Sequence, residues 1–86
     1  MIAKLTEGEI YSRVKDILQK VVYSSISLDG MTLDSRLKDD LDIDSIRVVD
    51  LAVDVEGDFG IRIEDETIES IRTVRDLVEL IRKKAA

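Results

Sequence analysis

The apolar residues of this chain fall into helical stripes separated by polar stretches. Ile10, Val14, Ile17, Leu18 and Val21 recur at i, i+4, i+7, i+8 and i+11, which is one face of an amphipathic helix. Arg13, Lys15, Asp16, Gln19 and Lys20 take the opposite face. Thr6-Glu7-Gly8-Glu9 has the form of a capping box, so this helix is predicted from about residue 7 to residue 23 or 24, ahead of a turn at Asp29-Gly30. A second helix is predicted to start at Asp44 or Ser45, with Asp44 as N-cap, and to stop at Gly60. Val48, Val49, Leu51, Ala52, Val55 and Phe59 form its broad apolar face, and Ile46 and Val53 lie outside the centre of that face as candidates for exposed contacts. Gly60-Ile61-Arg62-Ile63 alternates briefly but has no obvious partner strand, so it reads as an extended connector. A short helix is predicted at about 65–70, anchored by Ile68 and Ile71. A last helix opens at Thr73-Val74-Arg75-Asp76, and Val74, Leu77, Val78 and Ile81 line its apolar face. The predicted fold is all-α: a small bundle of four helices, three main and one short.

Residues 25–44 form a long first loop. Such a loop in a compact domain is either functional or well packed. Ile26, Leu28, Met31, Leu33, Leu37, Leu41 and Ile43 are spread along it and are expected to pin it to the helices. Asp34 to Lys38 is expected to form a single helical turn.

Composition narrows the chemistry. The 86 residues are expected to make one domain, 1–86, with a core of Leu, Ile and Val, because aromatics are nearly absent. With no cysteine and no histidine, a Ser-His-Asp or Cys-His arrangement is impossible, so an independent enzyme is a poor reading. No apolar run approaches the ~20 residues of a membrane span. Met1-Ile2-Ala3-Lys4 does not open a signal peptide, and a cytoplasmic protein is expected. The net charge of −6 is unevenly spread: residues 1–38 carry +1, 39–66 carry −9 and 67–86 carry +2. The acidic block disfavours nucleic acid and favours partners with a basic patch; its plain alternative is a solvated face.

Inside that block lies Asp40-Leu41-Asp42-Ile43-Asp44-Ser45-Ile46. The alternating aspartates resemble the start of a calcium loop, but a loop counted from Asp40 needs Gly and Glu where Ser45 and Leu51 stand, so no metal site is expected. Ser45 heads the second helix. Serine there is most often a cap. Here Asp44 can cap, which frees the hydroxyl, and a helix N-terminus stabilises an attached phosphate through its N–H groups and dipole.

At these residues the chain resembles the acyl carrier proteins, whose Asp-Ser-Leu motif is preceded by Asp-Leu-Gly and one variable residue. The resemblance continues in register through Val49-Asp50-Leu51, Glu56, Phe59, Ile61-Arg62-Ile63 and Thr73-Val74-Arg75-Asp76-Leu77, nearly the whole chain. It implies a monomeric carrier of acyl thioesters in fatty acid, lipid or polyketide-type biosynthesis, not an enzyme. A phosphopantetheinyl transferase would attach 4′-phosphopantetheine from coenzyme A to Ser45. Acyl-loading and acyl-modifying enzymes would then read Asp44, Ile46, Asp50, Val53 and Glu56. Met1 and the absence of Pro-, Ala- or Gly-rich flanks point to a stand-alone carrier over a module of a megasynthase. In the competing reading the chain is an acidic helical adaptor and Ser45 is only a cap. Asp42 stands where the family usually has glycine, and Ile46 where it has leucine. Arg47 and Gly57 stand where acidic residues are common in fatty acid synthesis members, and no proline follows Ile63. Together these departures imply a specialised carrier with a dedicated partner set.

Overall fold

The computed structural model describes residues 5–85, so the reading of Met1–Lys4 lies outside the described residues. Four helices follow in order: α1 (Glu7–Val21), α2 (Ser45–Phe59), α3 (Asp65–Ser70) and α4 (Val74–Ala85). α1 packs against both α2 and α4, and α3 leans on α2.

Each end of α1 has a local cause. The Glu9 backbone N–H donates to Thr6 Oγ1 at 3.2 Å and Glu9 Oε1 accepts from the Thr6 backbone at 2.9 Å, the reciprocal capping box. The stripe Ile10, Val14, Ile17, Leu18 and Val21 is buried throughout. The helix ends at Val21, shorter than its pattern predicts, because Val22 turns extended (φ −72°, ψ 156°). Arg47 seals this end. Its guanidinium donates to the Val21 carbonyl and lies over the Tyr23 ring, 3.7 Å from the centroid. One helix-terminal acceptor and the following aromatic are thus taken by a side chain from α2.

A matching contact closes the other end of the same pair. Arg13 of α1 donates to the Asp58 carboxylate (3.1 Å) and the Asp58 carbonyl (2.9 Å) and sits over the Phe59 ring at 4.4 Å. The helices are antiparallel, and each sends an arginine to the other's C-terminal turn, where carbonyls lack helical partners and cations suit the dipole.

The loop from Val22 to Asp44 is packed, not slack. Leu28, Leu37, Leu41 and Ile43 are buried, Ile26, Met31 and Leu33 pack against the core, and the Tyr11 hydroxyl donates to the Met31 carbonyl at 2.7 Å. The helical turn expected at Asp34–Lys38 is displaced. Arg36 instead makes an isolated antiparallel bridge with Thr73. Leu37 N–H donates to Arg72 O at 2.9 Å, and Val74 N–H to Ser35 O at 3.0 Å. The bridge takes Ser35 O and Leu37 N–H and leaves Arg36 O free, so the turn forms two residues later, with Asp40 and Leu41 both donating to Arg36 O.

α2 ends at Gly60, in the left-handed region at φ 66°, as its stop signal predicts. Ile61–Ile63 is an irregular connector with Ile63 buried. At the start of α4, Asp76 replaces the usual glutamate of a capping box: Oδ2 accepts from Arg72 and Thr73, while Thr73 Oγ1 accepts from Asp76 N–H. Lys84 at the far end of α4 pairs with Glu64 at 3.0 Å, tying it to the start of α3. No described polar side chain is buried, so the core is wholly aliphatic.

The arginine pair gives an expected outcome. Arg47→Met and Arg13→Met each keep the aliphatic stem and lose the donors, and each lowers stability by about 1 kcal/mol. Their positions lie roughly 16 Å apart along the pair by helix rise, so the double variant is additive in urea denaturation.

Candidate functional site

Asp44 sets the geometry of the site. It is extended (φ −80°, ψ −177°), and its Oδ1 accepts from Ile46 N–H at 3.1 Å and Arg47 N–H at 2.9 Å. The capping function falls to Asp44, and Ser45 becomes the first helical residue, exposed, with its hydroxyl unpartnered among the described residues.

Asp42 makes the approach possible. It is the one described non-glycine residue at positive φ (55°), between Leu41 and Ile43, which are 3% and 2% exposed. A single left-handed residue turns the chain so that both neighbours enter the core and Asp44 emerges at the helix end. Asp42 therefore keeps a glycine-like backbone, and aspartate tolerates that region better than most side chains. Asp40 locks the preceding turn. Its carboxylate accepts from the Arg36 backbone at 2.7 Å and from the Arg36 guanidinium at 3.2 and 3.3 Å. Hydrogen bonding from the Arg36 side chain holds Asp40 below the usual carboxylate range.

Beside Ser45 opens a groove of about 950 Å³ between α2, α3 and the loop. Its floor includes Leu37, Ile43, Val48, Val49, Ile68 and Ile71, and its rim is of mixed charge, with Arg36, Lys38 and Arg72 beside Asp39, Asp44, Asp65 and Glu69. An apolar trough beside a free hydroxyl fits an attached arm with an apolar load at its tip.

The other predicted positions separate by role. Ile46 is 74% exposed and Val53 59%, both facing outward as the pattern predicts. Val49 corrects the sequence reading: expected on the buried face, it is 47% exposed, because it sits at the edge of the core-facing arc and lines the groove. Asp50 is exposed. Glu56 is half-buried and occupied, its Oε2 accepting from the Ile63 backbone at 2.7 Å, which folds the connector back on α2. Asp54, one helical turn beyond Asp50, is exposed on the same outward side.

Two expected outcomes follow from this loop. Asp42→Val lowers stability by about 1–2 kcal/mol relative to Asp42→Gly, read by urea denaturation, because a β-branched residue resists positive φ. Glu9, Asp40 and Glu64 all titrate below their ordinary values, through hydrogen bonds from Thr6, Arg36 and Lys84 respectively. A depressed folded pKa contributes stability that is present above the unfolded value and lost as pH falls through the folded one. Stability therefore declines below about pH 4, and Asp40→Asn shallows that acid limb in pH-dependent melts.

Comparison with known proteins gives this geometry its family. The sequence profile described as "Phosphopantetheine attachment site" matches residues 12–81. The acyl carrier protein of Petrotoga mobilis is 41% identical over 80 residues, covering 93% of this chain and 92% of the relative. The crystal structure of the Thermotoga maritima acyl carrier protein superposes with a TM-score of 0.78 at 32% identity, covering 91% of this chain and 88% of that one. The hexanoyl carrier of the actinorhodin polyketide synthase of Streptomyces coelicolor superposes with a TM-score of 0.76 at 25% identity, covering 99% of this chain and 95% of that one. The chain belongs to the phosphopantetheine-bearing acyl carrier proteins.

Proposed function

We propose that Ser45 is the attachment point for the 4′-phosphopantetheine arm and that α2 is the surface partner enzymes read. The observation that carries this is the division of labour at the helix end: Asp44 satisfies the backbone donors, and the Ser45 hydroxyl is left exposed and free. In a transferase active site, Ser45 Oγ displaces the nucleotide half of coenzyme A. The new ester oxygen is Oγ, and the hydroxyl proton leaves to a base of the transferase. The terminal thiol of the bound arm supplies the thioester chemistry, and this is how a chain with no cysteine carries acyl groups.

The chain's own residues then position and present. The N-terminal N–H groups and dipole of α2 favour the phosphodiester, while Asp44 and Asp42 oppose it, and the groove rim beside it holds both cations and carboxylates. Leu37, Ile43, Val48, Val49, Ile68 and Ile71 offer apolar surface to the acyl chain. Ile46 and Val53 give partners an apolar ridge, and Asp50 gives them an exposed carboxylate. Asp44 and Glu56 belong to this face too, but each already holds a backbone N–H, so their contribution to docking is the charge they retain. With neither histidine nor cysteine, the chain leaves catalysis to its partners and acts as a single carrier domain in the cytoplasm, where coenzyme A is available.

Intact mass after incubation with coenzyme A and a broad-specificity phosphopantetheinyl transferase tests the attachment. Wild type gains one phosphopantetheine, and Ser45→Ala gains none while losing no more than about 1 kcal/mol of stability, since Asp44 carries the cap. Modification of the alanine variant, or none of a folded wild type, overturns the assignment of Ser45.

A further inference from the structure

The outward surface near the serine end of α2 is not uniformly acidic. Lys20, Val21, Arg47, Asp50, Val53 and Asp54 line a cleft of about 290 Å³ where the last turn of α1 meets α2. Two cations and two carboxylates thus face one small space, yet no two of them form an ion pair among the described residues. Arg47 is fixed at the lip by the Val21 carbonyl and the Tyr23 ring. Lys20 and Asp54 are exposed and unpartnered among the described residues. Tyr23 is 43% exposed and Val53 59%, so apolar surface borders the charges. Any enzyme that reaches Ser45 must cover the first turns of α2, and Arg47 follows Ser45 by two residues.

We propose that this cleft seats the enzyme that loads Ser45, through a patch bearing both signs: a carboxylate directed at Lys20 and Arg47, and a basic side chain directed at Asp50 and Asp54. The proposal rests on the reading of α2 as the docking face and adds to it a charge pattern. A purely basic partner patch would gain from removing a cation here. A mixed patch loses whichever sign is reversed, because each reversal places like charges opposite each other. Such a pattern discriminates between partners more sharply than uniform acidity does, since a wholly basic competitor meets Lys20 and Arg47.

The test measures loading of the apo protein with coenzyme A by the phosphopantetheinyl transferase encoded in the same genome, with kcat/KM taken from intact mass at low salt. Lys20→Glu and Asp54→Lys are the variants, and thermal melts check that both fold. Each is expected to lower kcat/KM about tenfold, chiefly through KM, and to converge on wild type as salt is added. If Lys20→Glu loads as fast as wild type or faster while Asp54→Lys is impaired, the two-signed patch is overturned and the docking face stands. If both variants load like wild type at low salt, the docking face falls with it.

Discussion

Two hydrogen bonds accepted by one carboxylate decide what the rest of this molecule can do. Asp44 Oδ1 takes the N–H groups of Ile46 and Arg47, and so fixes α2 to begin one residue later, at Ser45. Had serine been the cap, its hydroxyl would be turned onto the backbone and its oxygen committed. The long loop supports this arrangement. Arg36 bridges to Thr73, Asp40 clasps Arg36, and Asp42 accepts a left-handed backbone, so that Leu41 and Ile43 anchor on either side of the bend. Each contact serves to deliver Asp44 in an extended conformation to the same place.

The legible part of the fold was the part that repeats locally. The α1 stripe, the capping boxes at Thr6 and Thr73, and the glycine stop at Gly60 rely on neighbours within one helical turn, and the structure has all of them. The differences come from contacts between residues far apart in sequence. α1 ends at Val21, where Arg47 from another helix takes the last carbonyl, and the turn expected at Asp34–Lys38 is displaced where Arg36 bridges Thr73. Val49 was assigned to the wrong face because it follows Val48 and both are apolar, while the wheel places it at the margin of the buried arc. At the head of α2, the cap at Asp44 and the outward positions of Ile46 and Val53 follow from capping chemistry and periodicity, whereas the reading of Ser45 as more than a cap rests on the family resemblance. The second occupation of Glu56 was not readable, since its partner is the backbone of Ile63, beyond the end of the helix.

Charge and position are coupled differently on the two sides of α2. Toward the groove, Lys38 and Arg72 stand among carboxylates over an apolar floor. Toward the outside, acids dominate but are interrupted by Arg47, whose side chain is first a structural clasp and only then a surface charge. A residue so constrained presents its charge with little conformational freedom left to lose, which makes it a stronger determinant of orientation than a free lysine at the same place.

The absence of any buried polar side chain among the described residues has a mechanical meaning. Aliphatic surfaces cohere without directional bonds, so no directional side-chain bond inside the bundle fixes how far one helix has slid or spread relative to another. Alignment is instead held at the periphery, by the arginines at the two ends of the α1–α2 pair and by Lys84 on Glu64. An apolar guest entering between the helices would break no interior side-chain hydrogen bond, and its cost would fall on packing and on the peripheral contacts that bridge the helices.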